Sequence, residues 1–229
     1  MNYLIDGFVE ALKLLVEFDA ETYSAVTVSL TASSISLFTS LLVGVPLGFI
    51  LGFNNFKFKR LIKNFLNSMM AVPTVVIGLF VYILISQRGI FGEMNLLFTI
   101  KGIAIGQFFL AIPIVVALTA SAVESVDNRL KDELRSLGVS GLQMVFTYIY
   151  ECKFAIFAVA TTAFGRVFSE VGVSMMVGGN IKWHTRTITT AIALETGKGE
   201  FATGIALGIV LVVIAILVNF TSMYFTEKV

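Results

Sequence analysis

The sequence has very few of the residues that metal binding or covalent cross-linking require. One cysteine and one histidine in 229 residues leave no possibility of an internal disulfide or a Cys/His metal site. Charged residues make up 14% of the chain, whereas a soluble domain carries about 25%. The net charge of +1 favours neither a nucleic-acid nor a strongly acidic partner. Together these shortages indicate that water is not the main solvent of this chain.

Motifs for ATP hydrolysis and for other catalysis are also missing. The stretch Gly197-Lys198-Gly199 lacks the rest of a G-x-x-x-x-G-K-[ST] phosphate loop, so this chain is not an ATPase. No nucleophile–base or paired-carboxylate pattern indicates an enzyme. Cys152 is expected to be a small buried hydrophobe. A cleavable signal peptide is not expected, because Asp6 and Glu10 stand where its basic region would be.

Long apolar runs dominate the sequence, which is 57% hydrophobic. A membrane-spanning helix needs about 20 mostly apolar residues. Five stretches meet this length: 25–53, 65–85, 102–123, 154–177 and 201–225. The sequence therefore predicts an all-α, polytopic bundle of about five transmembrane helices, in a transmembrane domain that covers 21–229.

Residues 1–20 have a different pattern. Their charged residues recur three or four apart, so they share one narrow helix face, and apolar residues cover the remainder. These charged residues are Asp6, Glu10, Lys13 and Glu17. The pattern predicts an amphipathic helix that lies along the membrane surface; a short true span is the alternative.

Lysine and arginine predict the orientation, because cytoplasmic loops carry an excess of them. The first loop contains Lys57, Lys59, Arg60 and Lys63, and the third contains Arg129, Lys131, Arg135 and Lys153. The second and fourth loops are sparser. An N-terminus outside and a C-terminus in the cytoplasm fit this distribution best.

Small residues recur four apart within the first span. Gly44, Gly48 and Gly52 form two overlapping GxxxG patterns, which allow helix backbones to approach closely in lipid. The pattern fits either packing between subunits or packing within this chain.

Three places interrupt the apolar pattern, and the first is the long third loop, about 124–152. Charged and apolar residues alternate there at helical spacing, and D132-ELRSLG-138 predicts a short helix that ends at Gly138. The loop is either a plain solvated connection or a docking helix for a cytoplasmic partner.

The second place is Arg166 and Glu170 inside the fourth predicted span. Arginine in a bilayer centre costs about 2.5–3.5 kcal/mol on insertion scales, so it needs a partner or a function. The spacing of four allows the two residues to pair on one helix face. A structural ion pair and a lining for an anion path are both consistent with this pattern.

The third place lies between the last two spans. Gly178, Gly179 and Asn180 are expected to break the helix. Hydroxyls then surround one fixed positive charge, at Thr185, Arg186, Thr187, Thr189 and Thr190. Such donors suit an oxyanion, although a loop that only docks a partner is equally consistent. Trp183 is expected to mark the membrane interface.

These segments resemble the permeases of ABC importers. The third loop is similar to the family's E-A-A-x-x-L-G signature, although Asp132, Glu133 and Leu134 replace its first three residues. The stretch A163-FGRVFSEVG-172 is similar to the family's Arg-G-E-x-G stretch, with Ser169 in place of a glycine. The run T185-RTITTAIALE-195 resembles the tungstate-type branch of the tungstate, molybdate and sulfate group.

The resemblance implies a type I ABC importer permease and assigns roles to specific residues. By this resemblance, ATPase coupling is assigned to Asp132, Glu133, Arg135, Leu137, Gly138 and Leu142. The residues assigned to the substrate path are Arg166, Glu170, Gly178, Gly179, Asn180, Thr185, Arg186 and Thr187. No cofactor is expected on this chain, since ATP and Mg would bind to a separate ATPase.

The resemblance also implies partners and a location. It predicts a homodimer in the prokaryotic inner membrane, two ATPase subunits in the cytoplasm and a soluble oxyanion-binding protein outside. Molybdate or sulfate transport is the nearest alternative. A stand-alone channel or secondary transporter is the alternative from another class, but the spans hold few coupling charges besides Arg166 and Glu170.

Overall fold

The computed structural model describes the backbone of residues 2–226. Side chains are described over the same range except for 2–6, 128, 131–132, 135, 142, 222 and 224–226. Within this range the chain forms eleven α-helices and one short 3-10 helix, Gly92–Met94, as the all-α prediction requires. The α-helices are α1 Asn2–Val16, α2 Ala20–Phe53, α3 Lys59–Met70, α4 Thr74–Ile85, α5 Ile100–Glu124, α6 Asn128–Ser136, α7 Gly141–Glu151, α8 Lys153–Phe168, α9 Gly172–Gly178, α10 Ile188–Lys198 and α11 Phe201–Thr226.

Three of these helices are long and apolar enough to cross a membrane alone: α2, α5 and α11. Two further spans are possible if each of two bent helix pairs is counted as one. The pair α3 and α4 bends by 96°, and the pair α7 and α8 bends by 68°. The prediction of about five spans therefore depends on two spans that are broken helices.

The second predicted span, 65–85, was wrong as a single helix. Helix α3 ends at Met70, and α4 begins at Thr74 after Pro73. Proline has no N–H to donate, and it disfavours helical backbone in the residue before it. The two helices therefore meet at a sharp corner, and the basic α3 is free to turn away from the apolar α4.

The fourth predicted span, 154–177, is also interrupted, although it contains no proline. Helix α8 ends at Phe168 and α9 begins at Gly172. The backbone at Gly172 lies close to α4, because a Cβ there would stand 2.7 Å from the Thr74 hydroxyl oxygen. Side chains that are distant in sequence replace the missing helical hydrogen bonds.

The centre of the bundle is the pair α2 and α5, which run in the same direction. A Cβ added at Gly48 would lie 2.7 Å from the Val116 carbonyl oxygen, and one at Gly52 would lie 2.6 Å from that of Ala120. Only glycine allows the two backbones to come this close. The glycine pattern therefore serves packing within the chain, which was one of its two interpretations.

Helix α1 joins the bundle beside α11, where Gly7 lies close to Ile205. Asp19 then caps α2, since its carboxylate accepts from the Thr22 N–H and hydroxyl, both at 2.8 Å. Whether α1 lies on the membrane or crosses it stays a prediction. Helix α2 carries Glu21 at its start and approaches Glu124 of α5 at its finish, so we name the two ends of the bundle the Glu21 end and the Glu124 end.

Candidate coupling and transport sites

The third loop folds into a helix–turn–helix unit at the Glu124 end, here called the coupling segment (124–152). Helix α6 ends at Ser136, and Gly138 follows with a φ of +68°. The Val139 N–H donates to the Leu134 carbonyl at 3.1 Å, which closes the helix in the glycine-dependent way that its sequence predicts. The predicted helix stop at Gly138 is confirmed.

One side of the coupling segment is fixed to the bundle. Leu130 and Leu134 of α6 contact a buried cluster that contains Phe49, Tyr148 and Cys152. Cys152 is buried there as a free thiol, which confirms its predicted role as a small core residue. Because this contact is apolar and buried, a shift of α6 would disturb α2 at the Glu124 end.

The other side of the coupling segment is free. Leu137, at the turn, has 77% of its surface exposed, and Phe146 and Tyr150 of α7 are also well exposed. A Cβ at Gly138 would meet no heavy atom within 4 Å, so the turn itself is open. Exposed apolar side chains beside an open turn are typical of a surface that binds a partner.

The remaining predicted coupling residues lie in the same unit. Glu133 is exposed on α6. Asp132 and Arg135 lie in α6 and Leu142 in α7, but their side chains lie outside the part that the structure describes. Their predicted roles stay predictions.

An ion cluster at the base of the coupling segment was not found by sequence reasoning. The Glu124 carboxylate lies 3.0 Å from the Lys59 ammonium and 2.6 Å from that of Lys63. Lys59 also donates to the Gly52 carbonyl at 2.9 Å. This cluster ties α3 to the finishing turns of α2 and α5. A carboxylate at the end of an apolar span beside a basic loop is the signal that could have found it.

The break between α8 and α9 contains the predicted pair of Arg166 and Glu170. The Arg166 guanidinium donates to the Glu170 carboxylate at 2.9 Å, which confirms the pairing. Glu170 lies beyond the end of α8, and its other carboxylate oxygen accepts from the Val173 N–H at 3.1 Å. Its side chain is 2% exposed and that of Arg166 is 37% exposed. Glu170 therefore both caps α9 and holds a half-exposed positive charge.

Gln107, which sequence reasoning missed, and Thr189 complete this break. The Gln107 amide of α5 donates to the Val167 carbonyl at 3.1 Å, and the Thr189 hydroxyl of α10 donates to the Glu170 carbonyl at 2.7 Å. Carbonyls at a helix end need such partners when water is excluded. A polar glutamine inside an otherwise apolar span is the signal that Gln107 gave.

The segment between α9 and the start of α10, here called the threonine turn (178–190), begins with the predicted helix break. Helix α9 ends at Gly178, and both Gly179 and Asn180 have left-handed backbone, with φ of +68° and +52°. The Thr185 hydroxyl donates to the Gly178 carbonyl at 2.5 Å and accepts from the Ile181 N–H at 3.1 Å. The turn is thus closed by its own buried hydroxyl.

Arg186 is enclosed by two carboxylates that sequence reasoning missed. Its guanidinium lies 2.6 Å from Glu21 of α2 and 3.4 Å from Glu195 of α10, and its side chain is 11% exposed. Lys182 also contacts Glu21, and Lys198 also contacts Glu195. The charge of Arg186 is therefore balanced within the protein.

The other predicted path residues of the turn also bond internally. Thr187 and Thr190 form a reciprocal capping box at the start of α10, and the Ile188 N–H donates to the Ser29 hydroxyl at 2.7 Å. The Asn180 amide donates to the Thr190 carbonyl at 3.4 Å. The hydroxyls of the threonine turn are therefore buried and internally bonded in this conformation, although residues 181–184 are exposed, and Arg166 is more open than Arg186.

Comparison with known proteins places this architecture in a family. Residues 44–229 match the family described as the binding-protein-dependent transport system inner membrane component. The chain belongs to this family. It is a multi-pass inner-membrane permease.

Curated relatives align with the permease over almost its whole length. It is 52% identical to the tungstate uptake system permease protein TupB of Campylobacter jejuni over 220 residues, which cover 96% of this chain and 92% of that one. It is 40% identical to TupB of Peptoclostridium acidaminophilum, with 96% of each chain covered. Identity to the molybdenum transport system permease protein ModB of Escherichia coli is 28%, over 78% of this chain and 82% of ModB.

Solved structures share the fold of the permease. A chain of the MetNI methionine ABC transporter superposes with a TM-score of 0.76 at 15% identity, covering 93% of this chain and 97% of that one. A chain of a bacterial alginate ABC transporter gives a TM-score of 0.76 at 16% identity, covering 100% and 88%. The all-helical fold is therefore that of ABC importer permeases, as the sequence predicted.

Proposed function

We propose that this permease is the transmembrane subunit of an ATP-driven importer for tungstate. The observation that carries the proposal is the 52% identity, over 96% of the chain, to a permease named for tungstate uptake. Molybdate is the second candidate, because ModB of Escherichia coli is also related, at a lower identity of 28%. Both ions are tetrahedral dianions, so the same hydrogen-bond donors would serve either of them.

The Glu124 end is proposed to face the cytoplasm and to bind an ATPase on a separate chain, which carries ATP and Mg. The basic residues near α3 support this orientation, because positive charge is retained on the cytoplasmic side. In this proposed orientation the N-terminus lies outside the cell and the C-terminus lies in the cytoplasm. The free side of the coupling segment, with Leu137 at the turn, supports the docking role of Glu133, Gly138 and the neighbouring predicted residues.

The Glu21 end is then proposed to receive the oxyanion from a soluble binding protein. Arg166 is assigned to the path, because its guanidinium is half-exposed and Glu170 holds it in place. The other predicted path residues are assigned to the wall of the path, since their polar groups bond internally. They are Gly178, Gly179, Asn180, Thr185, Arg186 and Thr187.

A second copy of the permease is proposed to complete the path. Three long helices and two bent pairs supply few walls for an enclosed channel. Two-fold symmetry is the most frequent way in which identical chains assemble. The proposal therefore includes a homodimer with one ATPase for each copy.

Uptake in intact cells tests the proposal. Cells with and without this gene are supplied with trace tungstate, molybdate and sulfate, and their contents are measured by mass spectrometry. The expected result is a selective loss of tungstate, which the gene on a plasmid restores. Loss of molybdate alone would make molybdate the transported ion in place of tungstate. No change in any of the three would overturn the proposal.

A further inference from the structure

A groove of about 390 Å³ lies between α8 and α11, and its lining is unusual for a membrane protein. Four of its eleven lining residues carry polar side chains, and the others are Gly165 and six apolar residues. These polar residues are Thr161, Thr162, Ser169 and Asn219. Neither the coupling segment nor the threonine turn contributes to the groove.

The groove lies at the depth of the hydrocarbon. Helix α8 starts at Lys153 near the Glu124 end, and a helix rises about 1.5 Å per residue, so Thr162 lies about 13 Å further and Ser169 about 24 Å further along the bundle. Helix α11 runs the opposite way from Phe201, which brings Asn219 about 27 Å from its start. The hydrocarbon of a bilayer is about 30 Å thick, so helices that start at its two borders carry all three residues within it.

These polar groups are exposed. Thr162, Ser169 and Asn219 are all exposed, and a Cβ added at Gly165 would meet no heavy atom within 4 Å. No hydrogen bond joins the Asn219 amide to any residue whose side chain the structure describes. A free amide facing lipid would leave its donors and acceptor unsatisfied, which costs several kcal/mol.

Charge adds a second reason why lipid does not cover this face. Arg166 follows Thr162 by four residues on α8, so both lie on the same helix face, and the arginine side chain is 37% exposed. By contrast, Val213, Ile216 and Leu217 give α11 an exposed face that is entirely apolar. Helix α11 therefore has one face suited to lipid and another that borders a polar space.

The chemistry of the groove suits an oxyanion in water. The Thr162 and Ser169 hydroxyls bond to carbonyls of their own helix, at 2.8 Å each, and can rotate to donate elsewhere. Arg166 and Asn219 supply N–H donors. Arg166 borders the groove and is paired with Glu170, so the groove offers a dianion hydrogen-bond donors without net charge, which favours passage over tight binding.

We propose that this groove is one wall of the water-filled path along which the oxyanion crosses the membrane, and that a second copy of the chain closes its open side. The inference rests on the proposed function and adds Thr162, Ser169 and Asn219 to the path. It places the path on the α8–α11 side of the chain, on both sides of the level of Arg166.

Cysteine accessibility in the assembled transporter tests this placement. Thr162→Cys and Ser169→Cys are introduced separately into a Cys152→Ala background, with Leu217→Cys as a control on the apolar face of α11. Membranes are treated with a negatively charged, membrane-impermeant thiosulfonate during ATP turnover. Both groove positions should react about tenfold faster than the control or more, because the thiolate that reacts forms in water. Excess tungstate should slow their reaction and leave the control unchanged.

The outcomes separate this inference from the proposed function. If both groove positions, kept reduced before labelling, react as slowly as Leu217→Cys, the groove is dry and the inference is overturned. ATP-driven uptake by the unlabelled background tests the proposed function independently. Fast labelling without uptake of any oxyanion would show that the groove contains water, and it would overturn the claim that an anion passes through it. Asn219→Leu with Asn219→Gln as its control adds a second measurement, in which only the leucine variant should lose uptake, by about tenfold.

Discussion

The coupling segment and the threonine turn are built from the same parts but direct their polar groups differently. Each joins two helices by a turn with left-handed residues, and each starts its second helix with a capping box, at Ser140 and at Thr187. In the coupling segment the turn and Leu137 remain open. In the threonine turn the hydroxyls, the amide of Asn180 and the guanidinium of Arg186 are bonded inside the protein.

This difference separates an exposed apolar surface, proposed to bind the ATPase, from a unit that holds the bundle together. The coupling segment is anchored on one side and free on the other, so a partner can push it as a rigid body. The threonine turn links α2, α8 and α10 through charge and hydroxyl contacts, so it can respond to movement but offers few free donors. Loss of stability and loss of coupling should therefore arise from different ends of the molecule.

The largest loss of stability is expected from Glu195→Gln at the Glu21 end. It removes one of the two carboxylates that balance the nearly buried Arg186. Breaking a buried ion pair costs about 3 kcal/mol, and here Glu21 offsets part of this loss. Thermal unfolding of the purified permease in detergent measures the effect. Glu200→Gln, at an exposed position a few residues away, is the control and should leave the midpoint unchanged. Equal midpoints for both variants would show that the network does not stabilise the fold.

A loss of ATPase binding without a loss of stability is expected from Leu137→Ala. Burial of a leucine side chain in an interface contributes about 1.5–3 kcal/mol, so affinity for the ATPase should fall by at least about tenfold. Ile90→Ala is the matched control, because Ile90 is 82% exposed in a loop at the Glu21 end. Copurification of the ATPase with each variant gives the comparison. Retention of the ATPase by Leu137→Ala would remove this leucine from the docking surface.

A coupling defect is expected from Gly138→Ala. Left-handed backbone costs a residue with a Cβ about 1–2 kcal/mol, enough to reduce the population of the native turn by about tenfold. Uptake should fall about tenfold while the permease stays folded, because no core contact is lost. Gly141→Ala is the control, since that glycine is equally open but lies inside a helix. Normal uptake by Gly138→Ala would count against the coupling role of the turn.

The last prediction compares the two capping boxes. Thr187→Ala should destabilise the permease by about 2 kcal/mol and Ser140→Ala by about 0.5 kcal/mol, within the range known for helix caps. The reason is that Thr187 is buried and also contacts the Thr189 hydroxyl, whereas water can replace the exposed Ser140. Thermal midpoints measured in parallel should differ in this order. The reverse order would mean that the threonine turn is not the more rigid unit.

Local chemistry explains what the sequence could predict. The stop at Gly138, the pairing of Arg166 with Glu170 and the close approach at Gly48 depend on spacings of a few residues or on one residue type. The breaks in the second and fourth spans were missed because the hydropathy of a segment does not report a change in helix direction. Pro73 was visible in the sequence, but the break after Phe168 depends on Gln107 and Thr189.

The partners of Arg186 show why the rest of the site could not be predicted from the sequence. Glu21 lies 165 positions away in the sequence, and only the assembled bundle brings the two side chains together. The polar groove between α8 and α11 is a similar case, since Asn219 looks like an isolated polar residue in an apolar run. Long-range contacts of this kind follow from the fold and not from local pattern.

The most direct measurement is tungstate accumulation in vesicles that contain the purified permease, its ATPase and its binding protein. The account predicts accumulation that requires ATP and falls about tenfold with Gly138→Ala, while Gly141→Ala behaves like the unaltered chain. Tungstate flux through the permease alone, without ATP or ATPase, would contradict the account, because the chain would then be a channel or a secondary transporter.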